Sequence, residues 1–284
     1  MAHEGTAHPT GIDDQLDLDA YFQRIGYTGA RSPSLDTLRR IVLHHVTSIP
    51  FENLNSFLGW PVRLDLESLQ DKLVRQQRGG YCFEQNSLLG HALQALGFAV
   101  GYLASRVVWN QPEEVRPPRS HMLLRVELEG QLYLADVGFG VMAPTGPLRL
   151  ELDTEQETPH EPFRIRRWEE VYVLQAKVAG DWKSLYRFDL VEQFPADYEV
   201  SNWYTSTHPA SPFVRSLLAA RVEPDRRHTL TNTELNTYSL QGGREQHVLT
   251  SVGELRGALQ EIFRLALPEA PELDQALQRV LMTR

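Results

Sequence analysis

One thiol is present in the 284 residues of this sequence, and its neighbours are those a nucleophilic sulfur needs. Cys82 stands in Arg78-Gly79-Gly80-Tyr81-Cys82-Phe83-Glu84-Gln85-Asn86. Two glycines precede it, and an apolar helical pattern of Leu89, Leu93 and Leu96, with Leu88, Ala92 and Ala95 beside them, follows it. The spacing predicts a helix that begins near the cysteine. A thiol in a first helical turn lies among unpaired backbone N–H groups at the positive end of the macrodipole. That setting favours thiolate over thiol. The glycines let the backbone turn sharply and leave the sulfur uncovered on one side. A lone cysteine can also be a small buried hydrophobe, so Cys82 alone leaves both readings open.

A catalytic thiol needs a base, and the base needs a group that fixes its tautomer. Ten histidines are available, so residue type does not select one. Strand periodicity does. His121 to Leu128 and Gln131 to Val137 alternate as strands around Glu129-Gly130, a hairpin turn. With a two-residue loop Leu128 faces Gln131 and Leu123 faces Asp136. Side chains alternate with period two, so His121 shares a face with Leu123. His121 and Asp136 become diagonal neighbours, about 7–8 Å apart between backbones and within side-chain reach. A strand histidine and a strand-end aspartate also occur without any such role. One hairpin that carries both partners of a thiol favours the triad. Met122 and Leu124 fall on the opposite strand face and are expected in the barrel core.

The elements that must position these groups follow from the pattern of the whole chain. Asp17 caps a helix with Leu18, Tyr21, Phe22 and Ile25 on one face and Gly26 at its end. Ser34 caps a second, stopped by Pro50, and Asp65 a third. From Phe98 the period changes from about 3.6 to 2, and strands are expected over 99–109, 163–168, 171–178 and 182–188. Shorter strands follow around 217–222, 228–231, 235–240 and 244–249, then helices over 251–265 and 271–282. Helices first, strands next and a mixture last make the class α+β.

Composition narrows the partners. A net charge of −9 and the absence of a basic run argue against nucleic-acid binding. No apolar run approaches the roughly 20 residues that span a bilayer, and no membrane partner is expected. A single cysteine forbids an intrachain disulfide, and the polar start of the chain is not a signal peptide. A cytoplasmic protein is expected, with residues 1–14 disordered and no metal.

Five blocks together resemble the arylamine N-acetyltransferases: the Cys82 block, His121-Met122-Leu123-Leu124, Asp136-Val137-Gly138-Phe139-Gly140, Ile49-Pro50-Phe51-Glu52-Asn53-Leu54, and Asn202-Trp203-Tyr204-Thr205-Ser206-Thr207-His208-Pro209. They come in family order and span residues 49 to 213. The resemblance implies a cysteine-peptidase-like core, with Cys82 as nucleophile, His121 as base and Asp136 as orienter. It implies a helical bundle (1–97), a β-barrel (98–190), a helical linker (191–210) and a C-terminal α/β lid (211–284). The implied reaction is ping-pong acetyl transfer from acetyl-CoA to a primary arylamine or arylhydrazine. Family position implies that Phe51 and Phe139 line a slot for the aromatic ring. It implies CoA contacts at Ser120, Gly138, Gly140, His208 and Phe213, with core packing and turn duty as the plain alternatives. Arg78 and Glu52 read as a structural ion pair, Arg116 and Arg119 as residues of a solvated loop. A thiol hydrolase or transglutaminase-like enzyme would use the same triad, and a binding module could keep the pocket without chemistry.

Overall fold

The structure is a computed structural model that describes residues 15–282; the expected disorder of 1–14 lies outside the described residues. Helix α1 (Leu18–Ile25) starts where the Asp17 side chain accepts the Ala20 N–H and ends at Gly26, whose φ of 66° suits glycine. Helix α2 (Leu35–Ser48) is capped by Ser34, which accepts the Thr37 N–H. Two short elements that periodicity could not foretell come next: β1 (Phe51–Glu52) and α3 (Leu54–Leu58). Helix α4 (Leu66–Leu69), capped by Asp65, runs on as a π-helical stretch over Gln70–Arg75. Helix α5 (Cys82–Ala95) follows the paired glycines, with Cys82 as its first residue.

The next strands are β2 (Ala99–Val107), β3 (His121–Leu128), β4 (Gln131–Ala135), β5 (Leu148–Arg149), β6 (Phe163–Trp168), β7 (Val171–Val178) and β8 (Asp181–Glu192). They form one antiparallel sheet in the order β5-β4-β3-β2-β8-β7-β6. The segment after β5 reaches the far edge through bridges from Leu152 to Ile165 and from Gln156 to Phe163, which nearly closes a barrel. The turn at Glu129–Gly130 is the expected one, and a second of the same kind joins β7 to β8. Leu128 pairs with Gln131 around Glu129–Gly130, and Val178 with Asp181 around Ala179–Gly180. All four turn residues have positive φ, the signature of a type I′ hairpin.

Helices α6 (Pro195–Thr207) and α7 (Pro212–Arg215) lead to β9 (Leu218–Glu223), β10 (Arg226–Thr231), β11 (Glu234–Ser239) and β12 (Arg244–Val248), then to α8 (Val252–Gly257) and α9 (Pro271–Met282). The second sheet has the order β1-β9-β10-β11-β12, so residues 51–52, far earlier in the chain, supply its first strand. The α+β class stands.

Three apolar clusters result. One fills the barrel with Leu103, Leu123, Leu134, Phe163, Leu174 and Phe188. A second packs the C-terminal sheet against α8 and α9 through Leu230, Leu255, Leu259 and Leu277. The largest joins the helices to the outside of the barrel. Met122 and Leu124 belong to this last cluster, not to the barrel interior expected of them. Strand alternation had them facing away from His121; it could not say that α5 lies on that outer face, where it makes an apolar side of both faces of β3. No described helix is long and apolar enough to cross a membrane.

Candidate active site

Cys82, His121 and Asp136 meet at the seam between α5 and the barrel. The carboxylate of Glu84 accepts the Tyr81 N–H at 3.0 Å, a cap that starts α5 one residue later, at the cysteine. The Cys82 Sγ donates to the Ser120 carbonyl at 3.7 Å. The next residue is His121, whose Nε2 lies 2.7 Å from Asp136 Oδ2. A carboxylate can only accept there, so Nε2 carries the proton and Nδ1 is left for the sulfur. Asp136 follows the last residue of β4, and the pairing of Leu124 with Ala135 gives the diagonal relation to His121 that the hairpin predicted.

All three side chains are buried, which decides their electrostatics. Burial alone would lower the basicity of His121, yet its pKa is raised. The charge and hydrogen bond of Asp136, joined by those of Cys82, outweigh desolvation. Burial works against the Asp136 carboxylate as well, but the His121 charge, the Asn86 amide and the Gly138 N–H hold it below the ordinary carboxylate value. The arrangement therefore favours imidazolium beside carboxylate, the counter-charge a thiolate requires.

The sequence motifs contain Asn86, but its spacing assigned it no task. It sits one helical turn after Cys82 and joins three parts. Its Nδ2 donates to Asp136 Oδ1 at 3.0 Å and to the Met122 carbonyl at 2.7 Å, and its Oδ1 accepts the Val137 N–H at 3.0 Å. The i, i+4 relation to the thiol was the available signal. Tyr186 was missed outright: its ring lies 5.0 Å from His121 and 5.3 Å from Phe139. Pairing of β8 with β2, which also pairs with β3, brings it to that place.

A second set of groups holds the loop before Cys82. Arg78 Nη2 pairs with Glu52 Oε1 at 2.7 Å, and Lys72 pairs with Glu84 at 2.6 Å. The Arg78–Glu52 pair agrees with the structural reading of these residues; Lys72 was not foreseen. Burial raises the Glu84 carboxyl more than Lys72 lowers it. Glu52 goes the other way, because Arg78 and Lys72 together overcome its desolvation. Beneath these, Gln85 Nε2 donates to the carbonyls of Pro50 at 3.1 Å and Gly80 at 2.9 Å. Its Oε1 meets His45 Nε2 at 3.1 Å, and His45 Nδ1 meets the Tyr21 hydroxyl at 2.8 Å.

Aromatic rings wall the site. Phe139 stands edge-on to His121 with centroids 5.1 Å apart. Phe213 lies 6.1 Å from Phe51 and 5.3 Å from Tyr81. Gly140, with φ of 71°, leaves its near side to the Phe51 ring, 3.6 Å from where a Cβ would stand. At Gly138 a Cβ would fall 2.5 Å from the Cys82 Cα, so the space beside this glycine is taken by the helix of the thiol. Ser120 turns its carbonyl to the sulfur. His208 ends α6, stacks on Tyr204 with centroids 4.5 Å apart, and accepts the Ala210 N–H at 3.2 Å. The loop arginines are paired too, Arg119 with Asp189 at 2.5 Å and Arg116 with Glu169 at 3.2 Å. Among the described residues no group of three or more His, Cys, Asp or Glu side chains could hold a metal.

The chain is similar to known proteins over most of its length. A family model described as N-acetyltransferase matches residues 34–272. An arylamine N-acetyltransferase of Mycobacterium tuberculosis is 44% identical over 261 residues, covering 90% of this chain and 92% of the relative. One of Escherichia coli is 43% identical over 254 residues, covering 89% and 90%. The structure of the Mycobacterium marinum arylamine N-acetyltransferase in complex with CoA superposes with a TM-score of 0.89 at 41% identity, over 93% of this chain and 99% of that one.

Proposed function

This chain belongs to the arylamine N-acetyltransferase family, and from that premise we propose that it moves an acetyl group from acetyl-CoA to a primary arylamine or arylhydrazine through a thioester on Cys82. The observation that carries the reading is the unbroken contact from sulfur to imidazole to carboxylate at the start of α5.

In the first half, the Cys82 thiolate attacks the acetyl carbonyl and a carbon–sulfur bond forms. The tetrahedral intermediate then expels the CoA thiolate, which takes the proton of the His121 imidazolium. Attacking and leaving groups are both thiolates, so the acetyl-enzyme is not a deep trap. In the second half, the neutral arylamine attacks the same carbonyl with its lone pair. His121 takes the amine proton, and Cys82 leaves as thiolate. Asp136 fixes the Nε2–H tautomer throughout and stabilises the imidazolium. Because these charges are buried, the field acting on the carbonyl is stronger than it would be in water.

Phe51 and Phe139 are read as the slot for the flat amine. Ser120, Gly138, Gly140, His208 and Phe213 are read as contacts for the CoA arm; the M. marinum relative forms a complex with CoA. Residues 211–284 are read as the lid.

Incubation with acetyl-CoA alone should yield one acetyl group on Cys82 by mass spectrometry, together with one equivalent of free CoA. Adding an aniline or a hydrazide should empty the thioester and sustain CoA release. A folded protein whose CoA release no arylamine or arylhydrazine accelerates would overturn the proposal.

A further inference from the structure

Resting on the reading that Cys82 and His121 act together, we propose that Arg187 is a positioning residue for that pair: from outside the barrel it clamps the loop that ends in Ser120 and His121. Residues 110–120 cross from β2 to β3 without helix or strand, yet their last carbonyl, that of Ser120, faces the sulfur. A segment with no ladder of its own needs other anchors to hold such a contact.

Arg187 supplies them in an unusual way. It is only 6% exposed, and its hydrogen-bond partners are carbonyls, not a carboxylate: Nη2 donates to Glu113 O at 2.7 Å, Nη1 to Val115 O at 3.3 Å. The guanidinium lies 3.6 Å from the centroid of the Trp168 ring, and its buried Nε has no partner. Across the sheet Arg187 pairs with Arg106 of β2, and like charges opposite one another are destabilising. The structure spends both on the same loop, since Arg106 Nη1 donates to Pro117 O at 2.5 Å. Three carbonyls at alternate residues, 113, 115 and 117, are thus held by two strands of the barrel.

Those strands also hold the base. Ser105, next to Arg106, pairs with His121, and its hydroxyl donates to the His121 carbonyl at 3.4 Å. Tyr186, next to Arg187, turns inward and packs on the His121 ring. Neighbouring residues of β8 therefore hold the imidazole from inside and its leading loop from outside. A lysine would keep the charge and lose the planar fork that reaches two carbonyls at once.

Cys82 is the only cysteine, so its alkylation by iodoacetamide reads the pair without ambiguity. The rate is measured from about pH 5 to about pH 10 for the natural protein, Arg187→Met and Arg187→Lys, beside kcat and KM for CoA release and a melting curve. For Arg187→Met the alkylation rate at neutral pH and kcat should each fall about tenfold, with KM for acetyl-CoA within about twofold. Arg187→Lys should recover only part of the loss, remaining about threefold slow. A folded Arg187→Met protein with the natural alkylation profile and kcat, changed in melting temperature alone, would overturn the proposal. If that variant does not fold, Trp168→Leu removes the stacking face and leaves the charge. It should shift the profile in the same direction, and an unshifted profile overturns the proposal equally. Alkylation needs no acetyl donor, so a chain that alkylates fast but releases no CoA sinks the transferase reading and leaves this one standing.

Discussion

The helical side of the site holds its thiol with buried charge, whereas the barrel side holds its imidazole with strand register and rings. Around Cys82 the loop depends on Arg78, Glu52, Lys72 and Glu84, each ion paired with a specific partner. Around His121 the neighbours are Phe139, Tyr186 and the ladder to β2, with Asp136 as the counter-charge that the barrel supplies. Desolvated ion pairs tolerate the loss of a partner badly. A sheet spreads its support over many weak contacts. The helical side should therefore answer substitutions through stability, and the barrel side through rate.

The largest effect should come from Asp136→Asn. Geometry is kept, but the tautomer and the counter-charge of His121 are lost, and kcat/KM for arylamine acetylation should fall about 10³- to 10⁴-fold. A urea midpoint that collapses while the activity per folded molecule stays within tenfold would reverse the contrast drawn here. Next comes Glu52→Gln. It leaves Arg78 with an uncompensated buried charge, while Lys72 keeps Glu84, and should cost about 3–5 kcal/mol in urea unfolding. A loss below about 1 kcal/mol would show that the ionic scaffold is not what holds the loop.

The two sides should also differ in pH dependence, through their histidines. Burial, aided by the charge of Arg24 and only partly opposed by the Gln85 hydrogen bond, lowers His45 to about 3. Its folded value lies below its unfolded one, so the unfolded chain binds the proton first. The stability His45 permits is present above about pH 6.5 and is lost by about 1.4 kcal/mol per unit as pH falls towards its folded value. His121 has the opposite sign: its raised value gives stability that is complete below the unfolded value and fades as pH rises through the folded one. Urea midpoints between pH 7 and pH 4 should fall more steeply for the natural protein than for His45→Gln, with the slopes differing by roughly 1 kcal/mol per unit. Equal slopes would remove His45 from the account.

The smallest effect belongs to Arg119→Ala. Its partner Asp189 and the arginine itself are both partly exposed, and such rim pairs are worth about 0.2–1 kcal/mol. Its kcat should stay within about twofold of the natural protein and its melting temperature within about 4 °C, in contrast to Arg187, which clamps the same loop from β8.

Much of this was legible in residue order because the signals are local. A glycine pair before a helix start marked Cys82, and a two-residue type I′ turn fixed the register that makes His121 and Asp136 neighbours. Caps at Asp17, Ser34 and Asp65 marked three helix starts. The misses were long-range. β1 is two residues long and is a strand only because β9 pairs with it. Met122 and Leu124 were given the wrong core because alternation distinguishes two faces without naming what covers each.

By itself, then, the sequence singled out Cys82, His121 and Asp136, the order of the elements and the class, since hydrogen-bond periodicity and turn chemistry act between neighbours in the chain. Only the tertiary structure decided that Asn86 ties the thiol's helix to Asp136, that Tyr186 packs on His121, and that Gly138 makes room for Cys82. Those contacts join residues that lie 50, 65 and 56 positions apart. The packing of α5 on the barrel sets the first and third, and the pairing of β8 with β2 sets the second; no local pattern encodes the distance between two packed layers or the order of strands in a sheet.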